Sequence, residues 1–240
     1  MASNFRVRRY SSRIALLLQR KSLATVLAIL FQRDRGRKAR PKVALPARNV
    51  PSLYGPRGRK YLSADEKTRF VRAMRDIPTE VRLFCLVLMW TGGRLSETLA
   101  LRPIDFDFEV GAVSIETLKK RVRGVVRQVP LPQSLMRELE RGFRLRALQQ
   151  DMLAGKSRLW PWSRTTGWRR VKEVMILARI HGACAMPKGL RHAFGVMAFQ
   201  SVPPHLVQRW LGHASLRTTA IYGDVMGPEE RSIAARMWRH

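Results

Sequence analysis

Apolar residues along this 240-residue chain recur mostly at three- and four-residue intervals, the spacing of helices that bury one face. The first clear start is Ser63-Ala-Asp-Glu66, a capping box in which the Ser63 hydroxyl accepts from the backbone N–H three residues on while Glu66 reaches back. The helix it opens turns Phe70, Val71 and Met74 inward. A second helix opens at Pro78-Thr79, carries Leu83, Phe84, Leu86, Val87 and Met89, and stops at Thr91-Gly92-Gly93, where glycine tolerates a left-handed cap. Residues 95–101 continue as a short helix, and Pro103 with Asp105 and Asp107 breaks the pattern. The period then changes to two. Residues 111–116 and 125–129 are short runs rich in β-branched side chains, and the stretch between them, 117–124, makes a β-hairpin with a strongly basic tip. Helical spacing returns over 135–148, 168–180, 190–199 and 202–211. Gly212 closes the last of these, and Ser215 can cap a helix holding Ile221 and Tyr222. The fold class that follows is mainly α with a small antiparallel β-hairpin or sheet, without internal repeats.

Charge narrows the function. The chain holds 46 Lys and Arg against 17 Asp and Glu, a formal net charge of +29. Like charge opposes compaction, so an excess this large speaks against most small-molecule metabolic enzymes and for a polyanionic partner, nucleic acid first. The apolar content, 45%, is enough for a substantial core. Residues 1–60 carry 16 Lys and Arg and one acid, so the first quarter holds about half of the excess. Within it, 11–31 has the pattern of an amphipathic helix, and the basic run 33–40 leads into Pro41, Pro46, Pro51 and Pro56. The expected division is therefore a basic N-terminal segment and linker over 1–60, partly helical or disordered, and a main domain over 61–240. Cys85 and Cys184 lack metal-ligand spacing, which argues against a disulfide framework or a zinc site. The apolar stretch 14–31 is broken by Gln19-Arg20-Lys21, too short for the ~20 residues of a membrane span, so no membrane partner is expected.

Isolated features now line up in order. They are Arg94 in Thr-Gly-Gly-Arg-Leu-Ser-Glu, Lys119 in the basic hairpin, Arg191 in Lys-Gly-Leu-Arg-His, His213 in Leu-Gly-His, and Tyr222 nine residues later. With Val129-Pro-Leu-Pro132 closing the hairpin, this arrangement resembles the catalytic domain of the tyrosine recombinase, or phage integrase, family over residues 61–225. The resemblance implies a nucleophilic Tyr222 that attacks a DNA phosphodiester, forms a 3′-phosphotyrosine and releases a 5′-hydroxyl without metal, ATP or other cofactor.

The residue types suit that task. Charge gathers on the non-bridging oxygens in the transition state, and Arg94 and Arg191 offer planar, permanently charged forks for them. His213 adds a donor, and its place just past a helix C-terminus favours its protonated form. The leaving 5′-oxygen needs a proton, which Lys119, or Lys120 beside it, can supply. At the base position, three residues before the second arginine, the family usually has histidine; here stands Lys188, a poor base at neutral pH and better suited to a phosphate contact. His192 then reads as a structural hydrogen-bonding residue, and Gly93 replaces a larger apolar residue usual in relatives. Arg169, Arg170, Lys172, Arg209 and Arg217 are candidate backbone-phosphate contacts, while Trp160 and Trp162 read as core rather than as a base-stacking platform.

By the same resemblance the partners are double-stranded DNA, further copies of the chain in a synaptic tetramer and accessory DNA-bending proteins, in a bacterial, cytoplasmic, nucleoid-associated setting. About sixty residues precede the catalytic start, fewer than the family's N-terminal clamp domain. Two alternatives share the fold: a catalytically impaired DNA-binding accessory protein, to which Lys188 points, and a type IB topoisomerase-like relaxase.

Overall fold

The computed structural model describes residues 52–56, 58–118, 124–225, 230–231 and 234–235. The expected helix over 11–31 and the basic run 33–40 lie outside these residues, as do Lys119 and Lys120.

A small antiparallel ribbon, β1 (Tyr54–Gly55) with β2 (Gly58–Arg59), comes first. Leu53 and Tyr61 flank it and are buried in the main core, so packing begins before residue 61. Helix α1 (Ala64–Ala73) opens on the capping box read from the sequence: Glu66 N–H donates to Ser63 Oγ, and Ser63 N–H to Glu66 Oε2. Helix α2 (Thr79–Thr91) buries Val81, Leu83, Phe84, Cys85, Val87, Leu88 and Met89. A helix apolar nearly all round belongs in the interior, and α2 packs against both α4 (Gln133–Phe143) and α7 (Pro187–Ser201). Gly92 ends it at φ +59°, and the short α3 (Leu95–Leu99) follows. Arg94 therefore stands at the end of the three-residue turn between two helices.

The hairpin forms as β4 (Ala112–Glu116) and β5 (Val126–Pro130), in register from Ala112 opposite Pro130 to Glu116 opposite Val126. A third strand, β3 (Phe106–Asp107), pairs with the outer end of β4. Two residues are too few to show a period, so the Asp-rich stretch gave no sign of it. The alternation of β5 sends Arg127 and Val129 to the buried face and Val126 and Gln128 outward.

The single amphipathic stretch expected over 135–148 is two helices, α4 and α5 (Leu145–Gln150), broken at Arg144 with φ +54°. The break swings Leu145 fully into the core, and the Glu140 carboxylate caps the new start by accepting from Arg146 N–H. Helix α6 (Arg164–Leu177) begins one turn before the expected Trp168, because Ser163 caps it through Thr166 N–H. Helix α7 likewise begins early, at Pro187, whose fixed φ suits a first helical turn. Trp160 sits in the core, its indole N–H donating to Glu80 O at 2.9 Å and its ring edge-on to Phe84 and Phe143.

Helices α8 (Pro204–Leu211) and α9 (Leu216–Ala220) close the chain's core, joined by Gly212 in the left-handed region and the Ser215 cap. A 3-10 turn, Ile221–Gly223, lies against α7. Among the described residues no helix is long and apolar enough to cross a membrane.

Candidate active site

Three segments distant in sequence, those of Arg94, His213 and Tyr222, converge beside α7. Arg191, on its first full turn, is 8% exposed and spans two helix ends: one terminal nitrogen donates to Gly92 O and the other to Leu211 O, each at 2.6 Å. Those are the carboxyl ends of α2 and α8, where unpaired carbonyls and the helix dipoles favour a cation. Arg191 thereby fastens the Arg94 turn to the turn that carries His213. Burial first, then the neighbouring Arg94, lowers its pKa to about 10, so it remains charged at neutral pH.

Arg94 stands two residues past Gly92 and is partly exposed. Glu97, three residues on and wholly buried, takes the Arg94 side chain on Oε1 at 2.7 Å and the Arg94 backbone N–H on Oε2 at 3.0 Å. Burial pushes the Glu97 carboxyl up, but the Arg127 charge and the hydrogen bonds from Arg94 and Arg127 outweigh it, leaving the group below its usual range and ionised. Gly93, the departure noted in this motif, has a packing cause. A Cβ there would lie 2.9 Å from Thr98 Oγ1 and 3.1 Å from Thr91 Oγ1.

Tyr222 is 1% exposed, with its ring laid on the bare backbone of α7 at Gly195. The His213 ring stacks on it at 6.1 Å between centroids and 13° between planes, and the Tyr222 hydroxyl lies 3.3 Å from His192 Nδ1. His213 Nδ1 meets Thr219 Oγ1 at 2.9 Å. If Nδ1 donates to Thr219, Nε2 is left as an acceptor in the neutral ring and a donor in the charged one. Burial raises the Tyr222 pKa, and Arg191 and Arg94 oppose that only in part.

The expected protonated state of His213 is not found. Burial, and then Arg191 and Arg94, push it down to about 4, against which the helix end behind it is too weak. His192 is likewise pushed down to about 4, by burial and then by Lys188 and Arg191. Both rings are neutral at neutral pH in the DNA-free protein, because they are buried and because the site already concentrates positive charge.

Lys188 is exposed on the first turn of α7, and the partner of the Tyr222 hydroxyl is His192, not Lys188. The structure thus brings Arg94, Arg191, His213 and Tyr222 together; Lys119 lies outside the described residues. Among the other cations, Arg169, Arg209 and Arg217 are exposed, Arg170 pairs with Glu173, and Lys172 donates to Ala185 O. A groove of about 250 Å³ beside Arg94 is lined also by Leu118 and Arg164, and a second of about 260 Å³ runs past His213, Arg209 and His205. A larger groove, about 560 Å³ and lined by Phe108, Met136 and Arg137 among others, contains none of these motif residues.

Sequence reasoning gave no part to Glu97, Arg127, Thr219 or Gly195. Arg127 carried a signal: it falls in phase with Val125 and Val129, so a charge was due on the buried face of the hairpin.

Residues 60–227 match the model of the phage integrase family. Tyrosine recombinase XerA of Pyrococcus furiosus is 33% identical over 181 residues, covering 74% of this chain and 61% of that protein. Tyrosine recombinase XerD of Yersinia pestis is 31% identical over 167 residues, covering 66% and 54%. The chain thus spans roughly half to three fifths of these curated relatives. Among solved structures, the crystal structure of XerA recombinase aligns over 99% of this chain and 84% of its own, with a TM-score of 0.63 at 21% identity. XerH site-specific recombinase bound to a palindromic difH substrate in a post-cleavage complex aligns over 75% of this chain and 54% of its own, with a TM-score of 0.60 at 24% identity. These last two likenesses are of fold.

Proposed function

The chain belongs to the phage integrase family, and from that premise we propose that it is a site-specific tyrosine recombinase, cutting and rejoining double-stranded DNA through a 3′-phosphotyrosine at Tyr222. The observation that carries this reading is the convergence of Arg94, Arg191, His213 and Tyr222, four side chains from separate motifs, on one site: Arg191 ties the Arg94 and His213 turns together, the His213 ring stacks on Tyr222, and both arginines act on the Tyr222 hydroxyl through their charge. Arg94 and Arg191 would hold the non-bridging oxygens of the scissile phosphate, where negative charge builds as the phosphorus becomes five-coordinate. An anion placed there also offsets the part of the shift that the cations impose on His192 and His213, beyond their burial, so a bound phosphate makes both rings better proton acceptors. The acceptor within reach of the Tyr222 proton is His192 Nδ1.

As the Tyr222 oxygen bonds to phosphorus, the bond to the 5′-oxygen breaks and that oxygen takes a proton, in this reading from Lys119. One phosphoester replaces another, so the reverse attack by a 5′-hydroxyl rejoins the strand with no nucleotide hydrolysed. Lys188, exposed beside the site, is assigned to phosphate contact. The same proposal includes a synaptic tetramer on two DNA sites and a basic segment over 1–60 that adds phosphate contacts where larger relatives close a clamp.

Denaturing gels of the full chain mixed with nicked DNA carrying candidate sites test the reading. A covalent adduct in the native chain that is absent from Tyr222→Phe is expected. Tight binding to many sites, including those flanking its own gene, without any adduct would instead favour an accessory DNA-binding role.

A further inference from the structure

Three of the motif segments meet at the guanidinium of Arg127. Nε donates to Trp210 O at 2.7 Å, one terminal nitrogen to Thr117 Oγ1 at 2.9 Å, and the other to Glu97 Oε2 at 2.6 Å. Each acceptor stands next to a residue of the site. Trp210 lies three positions before His213, Thr117 two before Lys119, and Glu97 grips Arg94 through its other oxygen. The packing around this fork is tight: a Cβ on Gly212 would come within 3.2 Å of Arg127 Cδ and 3.3 Å of Thr117 Oγ1. That adds a packing reason for the glycine of the Leu-Gly-His motif to its left-handed φ.

The Arg127 side chain is 4% exposed, and Glu97 is fully enclosed. Burying such a pair is costly, and an apolar residue of similar volume commonly stabilises a core as well or better. What an apolar side chain cannot do is fix three directions in one plane, as a guanidinium can.

We infer that Arg127 is a positioning residue of the strand-transfer site, locking Glu97, and through it the Arg94 fork, in register with the base of the hairpin and the turn that presents His213. Glu97 Oε2 is held by Arg127, so its Oε1 alone meets the Arg94 side chain and the rest of that fork remains for a phosphate. Without Arg127, Oε2 keeps only the Arg94 backbone N–H, and the carboxylate can turn to take the Arg94 side chain on both oxygens, withdrawing it.

The inference rests on the recombinase reading for its kinetic consequence and on hydrogen bonding alone for its structural one. Arg127→Lys keeps the charge facing Glu97 but cannot span three acceptors. In single-turnover cleavage at saturating nicked DNA, Arg127→Lys is expected to bind DNA within twofold of the native chain and form the adduct at least 30-fold more slowly. In an Arg94→Lys background the same change should cost less than threefold, since the fork it held is gone. A rate within threefold of native, or equal losses in both backgrounds, overturns the inference.

The second readout needs no activity: the order parameter of the Arg94 Nε–H in DNA-free protein. It should fall from that of a rigid group, about 0.8, to below about 0.6 in Arg127→Lys; an unchanged value overturns the inference. A native chain that forms no adduct refutes the recombinase reading and leaves this readout to decide. Should Arg127→Lys not fold, Thr117→Val removes one anchor and keeps every charge. It should slow the adduct about threefold and partly loosen Arg94, and no change in either again overturns the inference.

Discussion

Gly195→Ala is the sharpest probe of how the Tyr222 ring is seated. A Cβ at Gly195 would lie 2.3, 2.5 and 2.6 Å from three carbons of that ring. Carbon atoms rest at about 3.5–4.0 Å, so the ring must retreat by about 1 Å or more. A misplacement of that size at a reacting centre costs on the order of 100-fold in rate. Stability should move much less. Alanine gains roughly 1 kcal/mol of helix propensity over glycine, against roughly 1–3 kcal/mol for overpacking. The net, at most about 2 kcal/mol, lowers the Tm by several degrees in a domain of this size. The assay is single-turnover adduct formation on nicked DNA beside a thermal melt and a DNA titration. An adduct rate within twofold of native, with an unchanged melt, would refute the argument that this seat is the one from which Tyr222 reacts.

Arg191→Lys cannot bridge Gly92 O and Leu211 O together; leaving one buried carbonyl unmet should cost roughly 1–3 kcal/mol in urea unfolding and abolish the adduct. His192 titrates at about 4 in the fold against an ordinary histidine value of 6.5, so the unfolded chain binds more protons between those values; stability is complete above about pH 6.5 and declines as the pH falls toward 4. By pH 5 this removes about 2 kcal/mol through His192 and less through the more open His213; urea midpoints at pH 7 and 5 measure it, and His192→Asn should flatten the difference. Residues 1–49 hold 13 Lys and Arg and one acid; removing them should weaken DNA binding at least tenfold at low salt and shallow the dependence of log affinity on log salt concentration, and an unchanged slope would discard the phosphate-contact role.

Much of this molecule was legible in its sequence because the relevant signals are local. Ser63 with Glu66, Gly92, Gly212 and Ser215 mark helix ends by chemistry confined to a few residues, and each marks one in the structure. The break at Arg144 was hidden because its cause, the burial of Leu145, is set by the rest of the core. The four site residues could be read as ordered motifs, but the states of His192 and His213 could not. Those depend on how many cations the fold gathers around two enclosed rings. Glu97 and Arg127 escaped for a related reason. Their pairing joins residues 30 apart, and only the strand alternation hinted that Arg127 points inward.

Attachment of the DNA to Tyr222 is the step on which the proposed chemistry turns. Mass spectrometry of the protease-digested adduct tests it most directly. A nucleotide linked through its 3′-phosphate to the tryptic peptide 218–231 is expected, with no such species from Tyr222→Phe. A DNA adduct on any other peptide, a 5′-phosphate linkage, or cleavage that persists in Tyr222→Phe would contradict it.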